Sequence, residues 1–202
     1  MKSILSLVRI LIFLSLTLLN RFKLYVNGVK THKGISIRGS IFILNQGIIN
    51  LGDNITINSS KYKNIIGGDT RSSIVVKRNA CLTIGENLRM SNSAIYCAEK
   101  IEIGNNVMIG GSTKIWDTDF HPLNPHVRND NPNDGFNTRP IIIDDNVFIG
   151  GFSIILKGSN IGKNSIIGAG SVVSGIIPPD EIWGGNPAKF IKKQDASKLN
   201  SN

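Results

Sequence analysis

Residues 143–178 read IDDNVF-IGGFSI-ILKGSN-IGKNSI-IGAGSV-VSGIIP, six consecutive lines of six. The first letter of each line, at 143, 149, 155, 161, 167 and 173, is Ile or Val, and the fifth is Val, Ser or Ile. The same phase runs upstream through IGNNVM and IGGSTK at 103–114, with fainter copies at 82–90 and 51–58. A period of six matches neither the 3.6 of a helix nor the 2 of a single strand. It fits a coil of short strands in which one aliphatic residue per hexad points inward and a small one fills the corner. Gly or Asp-Asn then turns the chain, since those residues tolerate positive φ. Coils stacked about 4.8 Å apart set each aliphatic residue on its like in the next coil. Most of these Ile, Gly and Ser residues therefore build an all-β parallel β-helix and do no chemistry.

The rest of the composition agrees. A chain of 202 residues, 41% hydrophobic and 18% charged, holds one domain with a core. Isoleucine fills about a sixth of it, a β-branched excess that points away from a helical bundle. Cys81 and Cys97 make neither a disulfide framework nor a metal site, which favours a reducing compartment. The net charge of +9 suits nucleic acid, a membrane surface or an anionic ligand without choosing among them. Three parts are expected: an apolar N-terminal helix over 1–23, the coil over 24–179 with a loop at 116–140, and a C-terminal turn and basic tail over 180–202. The tail is expected to fray from Gln194 onward.

The N-terminal run Ile4–Leu19 is apolar apart from Arg9 and is flanked by Lys2, Arg21 and Lys23. At 1.5 Å per residue it reaches about 24 Å, short of the roughly 30 Å of a hydrocarbon core. Nothing after it resembles a signal-peptidase site. A helix on a membrane surface, a helix packed in an oligomer interface, and a span or signal all stay open. The coil itself is interrupted once, between Trp116 and Pro140. That loop holds Pro122, Pro125, Pro132 and two of the three histidines, and long loops inside compact domains are commonly functional.

The hexads, the Pro178-Pro179 end of the repeat and GNPAKFIK at 185–192 resemble the hexapeptide-repeat acyltransferases, and most closely the galactoside, maltose and polysaccharide O-acetyltransferases. The resemblance covers roughly residues 82–193. It implies a left-handed β-helix, a homotrimer with active sites between subunits, acetyl-CoA as acyl donor, and a cytoplasmic enzyme acting on a sugar hydroxyl. The family's catalytic histidine, in a His-Pro at the start of a loop, maps onto His121 of Phe120-His121-Pro122. Imidazole suits removal of a hydroxyl proton near neutral pH. Asp119, or alternatively Asp117, could orient it, although either could equally be a turn residue.

The resemblance places an acceptor- or oxyanion-binding Asn near Asn92. Trp116, next to an inward Ile115, should face outward, where it could stack on a sugar or simply pack. His126 could touch the acceptor or be an ordinary polar loop residue. Acetyl-CoA would lie along small residues, Gly151 and Ala169 with Gly168 and Ser171, and its phosphates would meet Lys189 and Lys192. These small residues also suit coil corners, and the lysines also suit a solvated tail. One departure stands out: many relatives carry Thr-Lys-Asp where this chain has Ser174-Gly175-Ile176, so one cofactor-side lysine is missing.

Other readings fare less well. His121 and His126, five apart, resemble two ligands of the γ-class carbonic anhydrases, but the third ligand would fall at Gly85, and His32 lies outside the repeat. No metal is expected. Aromatics at 6% give no stacking platform for nucleic acid. A trimeric scaffold without catalysis, and acetylation of serine or a nucleotide-linked amino sugar, are the remaining alternatives.

Overall fold

The computed structural model describes residues 2–30, 33–131 and 135–195, with side chains from residue 12 onward. His32, Pro132, Asn133 and the tail beyond 195 lie outside the described residues. The chain forms a left-handed parallel β-helix of hexapeptide repeats, preceded by one helix, α1 (Lys2–Val26). Its strands stack into three sheets, parallel throughout except for the last strand of the first. The first has eight described strands, from Ser36–Gly39 to Lys189–Lys193, and the second and third have six each. The second runs from Phe42–Asn45 to Val172–Val173 and the third from Ile48–Leu51 to Ile176–Ile177. Each turn of the coil visits first, second and third sheet in order.

The hexad pattern gives this architecture directly. Ile143, Ile149, Ile155, Ile161, Ile167 and Val173 are all buried, as are Val147, Ser153, Ser159, Ser165, Ser171 and Ile177 four places on. Register runs in steps of 18: Ile149 pairs with Ile167 and Ile155 with Val173. Isoleucine thus stacks on isoleucine, each buried side chain contributing about 1.5–3 kcal/mol. The corner serines close the turns by donating to backbone carbonyls, as Ser153 does to Gly150 at 2.7 Å. The corners between third and first sheet carry Asn at positive φ, at 87, 106, 146 and 164. Their amides form a ladder along the coil, Asn87 to Asn106 to Asn146 to Asn164 to Asp180, at 2.7–3.1 Å.

Helix α1 runs three residues past the expected Lys23, because its last turns close the open end of the coil. Asn20 donates to Gly39 O and accepts from Ile41 N–H, Lys23 donates to Ser40 Oγ and Ile41 O, and Leu24 is buried. At the other end the expected turn and tail is a hairpin. Glu181–Gly184 pairs antiparallel with Lys189–Lys193 and extends the first sheet. Gln194 donates its backbone N–H to Asp180 O at 2.7 Å, so the described chain remains anchored past the point where fraying was expected.

Candidate active site

The long loop leaves the coil at the corner between second and third sheets. There Asp117 follows Trp116 in register with Tyr96 and Val75, so it stands in the inward column filled by Val76 and Cys97 in the two coils before. A carboxylate in that column needs partners, and it has them. Oδ1 accepts the Ala98 N–H at 2.6 Å, and Oδ2 accepts those of Glu99 and Lys100 at 2.8 Å each. Asp117 is fully buried and its oxygens are taken, so it organises the preceding turn and is not the group that orients an imidazole. Burial and this carboxylate push the Cys97 thiol far above its ordinary range, and desolvation raises Tyr96 as well.

Beyond Asp117 the two ends of the loop zip together. Arg139 donates its N–H to Asp117 O, Asp119 donates to Asn137 O, and Thr118 bridges Thr138. Asp119 itself pairs with Lys157 of the next coil at 3.1 Å, which pins the neck. Phe120 then takes φ +63°, its N–H donating to Thr118 Oγ1, and turns the chain outward so that His121 stands exposed. A short helix, α2 (Pro125–Asp130), follows, with Asn124 as its cap accepting from the His126 N–H. Arg128 donates to Pro122 O at 3.0 Å and folds this helix back on the His-Pro segment. His126 is exposed on it.

Beneath His121, Phe120 packs on Tyr96 at 4.8 Å between ring centroids and faces Trp116 at 6.1 Å. Trp116 does face outward from the second sheet, half-buried. A partly exposed aromatic surface therefore adjoins the histidine.

The other expected residues lie along the opposite edge of the second sheet, at its corner with the first. Asn92 (φ +47°) is buried there beneath a second insertion, residues 60–72. Its Nδ2 donates to Gly68 O at 3.1 Å, while its Oδ1 is buried without a partner. One, two and three coils on come Gly111, Gly151 and Ala169. A Cβ on Gly150 would sit 2.5 Å from Ala169 N, and one on Gly151 would sit 2.9 Å from Gly111 O. Close stacking alone thus demands glycine here, and it leaves an exposed backbone edge that a slender chain can approach. Ser171 is buried, donating to Gly168 O and accepting from Gly185 N–H, so its hydroxyl is unavailable to a ligand. Gly168 is half-buried behind it. Lys189 and Lys192 are exposed on the terminal hairpin.

Within one chain, then, His121 and the row Asn92, Gly151 and Ala169 flank the second sheet from its two edges. Strands of two to four residues lie between those two edges. The 60–72 insertion was not anticipated; its signal is the stretch Ser59–Ser72, which carries Gly67-Gly68 and no inward aliphatic phase. Among the described residues no group of three His, Cys, Asp or Glu could hold a metal ion.

Residues 140–175 match the family described as bacterial transferase hexapeptide (six repeats). A galactoside O-acetyltransferase of Lactococcus lactis is 32% identical over 143 residues, 71% of this chain and 62% of that protein. The structure of a maltose O-acetyltransferase from Clostridium difficile 630 superposes with a TM-score of 0.56 at 29% identity, covering 82% of this chain and 70% of that one. A point variant of AntD, an N-acyltransferase from Bacillus cereus, gives a TM-score of 0.61 at 25% identity, covering 83% and 84%. It was crystallised with dTDP-4-amino-4,6-dideoxyglucose and coenzyme A. The chain spans about half the length of curated relatives it matches, 43% of a putative acetyltransferase of Schizosaccharomyces pombe and 55% of one of Saccharomyces cerevisiae. The resemblance to hexapeptide-repeat acyltransferases read from the sequence is borne out, and so is the fold.

Proposed function

We propose that this chain is an acyltransferase that moves an acetyl group from acetyl-CoA to a sugar hydroxyl, the sugar belonging to a bacterial surface polysaccharide or its precursor, with His121 as general base. One observation carries the reading: the coil's regularity breaks to hold a histidine outward, on a zipped neck, beside the aromatic surface of Tyr96, Trp116 and Phe120. Sugar rings stack on such surfaces, and a hydroxyl so placed would give its proton to the imidazole as its oxygen bonds to the acyl carbon. Similarity to galactoside and maltose O-acetyltransferases supports the acceptor class.

Acetyl-CoA supplies an activated thioester. The residues that would hold it are Gly151 and Ala169, at the corner where the exposed Phe152 also stands, with Lys189 and Lys192 toward its phosphates. AntD's complex with coenzyme A supports this donor. Because His121 and that corner flank opposite edges of one sheet, the complete site forms when His121 of one copy faces the corner of another. The homotrimer implied by the family resemblance would supply that arrangement.

Thiol release from acetyl-CoA, measured over a panel of sugars, tests the reading. Release should require a sugar and fall about 10²–10⁴-fold in His121→Ala. Release that ignores the substitution refutes the base. AntD's amino-sugar nucleotide favours a second acceptor, an amine on a nucleotide-linked sugar, and the same panel separates the two.

A further inference from the structure

We infer that α1 docks the protein flat on an anionic membrane surface. The helix has two faces. Leu24 and Asn20 point into the coil end, whereas Leu14, Leu18, Phe22 and Tyr25, spaced four, four and three apart, line the opposite side with Val26 beside them. At 100° per residue these five fall within an arc of about 120°. They are unusually open for large apolar groups: Leu18 is 66% exposed, Phe22 61% and Tyr25 82%. Ile12 and Phe13 are exposed as well, where the helix overhangs the coil. The preceding turns continue in sequence as Ile4–Leu11 with Lys2 and Arg9. Among the described residues no helix is long and apolar enough to cross a membrane. The apolar run 4–19 reaches about 24 Å, short of a roughly 30 Å hydrocarbon core, and Asn20 and Leu24 are held on the coil, so this face would lie on a bilayer.

Charge identifies the occupant. Residues 1–80, which comprise α1, the first coil, two of the three strands of the second and the 60–72 insertion, hold 12 Lys and Arg against 2 Asp and Glu. Residues 81–202 hold 11 against 12. The net positive charge of the protein therefore comes from the N-terminal part of the chain, which carries the apolar face. Two copies meeting through that face would bring like charge together, whereas an anionic bilayer is attracted to it, at about 1 kcal/mol for each basic residue near the surface. Arg21 is exposed at the margin of the apolar arc, where lipid phosphates would meet it.

The test is flotation of the full chain with vesicles of phosphatidylcholine alone or with about a third phosphatidylglycerol, without acetyl-CoA, so that the outcome is independent of any transferase activity. Wild type should float with the anionic vesicles and lose most of that binding in high salt. Leu18→Glu combined with Phe22→Glu, which removes no packed group, should lower the bound-to-free ratio at least tenfold at an unchanged melting temperature. Arg21→Glu should weaken binding to anionic vesicles only. Absence of wild-type flotation, equal flotation on both vesicle types, or a double variant that binds vesicles normally but forms smaller oligomers by light scattering would each overturn the inference.

Discussion

Asp117→Asn is the substitution whose cost is best determined by the geometry. The wild-type carboxylate holds three backbone amides, with Ala98 on Oδ1 and Glu99 and Lys100 on Oδ2. An amide side chain has one oxygen. Its better orientation keeps Glu99 and Lys100 and turns an NH2 toward the Ala98 N–H, two donors in contact. One charge-assisted bond, worth about 1.5–3 kcal/mol, disappears, and the other two fall to neutral strength, about 0.5–1.5 kcal/mol each. Removing a buried charge offsets part of this. The net loss is roughly 2–4 kcal/mol, which in a chain of this size lowers the melting temperature by roughly 4–16 °C. Thermal and urea unfolding would measure it, with thiol release assayed well below both transitions. Activity per folded molecule should stay within a few-fold of wild type, because Asp117 acts on the scaffold. A variant as stable as wild type, or one stable but inactive, refutes the assignment of this carboxylate to structure.

Gly150→Ala places a Cβ 2.5 Å from the Ala169 backbone N, so adjacent coils must part, and unfolding should show a loss of more than about 2 kcal/mol. The Cys97 thiol is raised by burial and by Asp117. An unfolded thiol ionises near pH 8.5 while the native one keeps its proton, so the unfolded state loses protons first. Stability should therefore fall above about pH 8.5, by up to about 1.4 kcal/mol per pH unit from this group, and alkylation of native protein should find Cys81 and spare Cys97. Lys189→Ala with Lys192→Ala should raise KM for acetyl-CoA severalfold with little change in kcat, since both lysines are exposed and would meet only the cofactor's phosphates; equal loss in both parameters would place them in the chemistry.

The coil was legible because its signal repeats: each Ile at a six-residue interval repeats the same choice, and the choices agree. The candidate site was legible only where the repeat fails. His121 stood out because the interruption holds a His-Pro onto which the family resemblance maps the catalytic histidine, and Trp116 because its neighbour points inward. The role of Asp117 was not legible, since an aspartate at the mouth of a loop reads as a turn residue. Only the register, with Val76 and Cys97 beneath it, shows that it fills a core position. Ser171 was drawn toward the cofactor by its place beside Ala169, but the same hexad logic that buries Ser153 and Ser165 buries it too. Asp119 has its partner in Lys157, thirty-eight residues away and one coil further on, a pairing that no local spacing announces.

The register also says how much of the interruption the coil needs. Ile155 stacks on Ile115, and Asn160 on Ile142, so Lys157 corresponds to Asp117 and Ser159 to Ile141. Where the next coil turns this corner with Gly158 alone, the present one spends residues 118–140. Replacing that stretch by a single Gly, with Asp117 kept, preserves the coil's register and the cap on the Ala98–Lys100 turn. It also removes a closed loop whose entropic cost is about 2–3 kcal/mol, against which stand the Asp119–Lys157 pair, the packing of Phe120 on Tyr96 and Trp116, the buried Thr118 and the few contacts of α2. These terms are of similar size, so the excised chain should fold with a melting temperature within about 10 °C of the full chain's, measured by circular dichroism, and show no sugar-dependent thiol release. If it keeps activity, the catalytic group lies on the coil and not on the loop. If it fails to fold, the loop belongs to the scaffold, and its histidine loses its strongest claim to a function of its own.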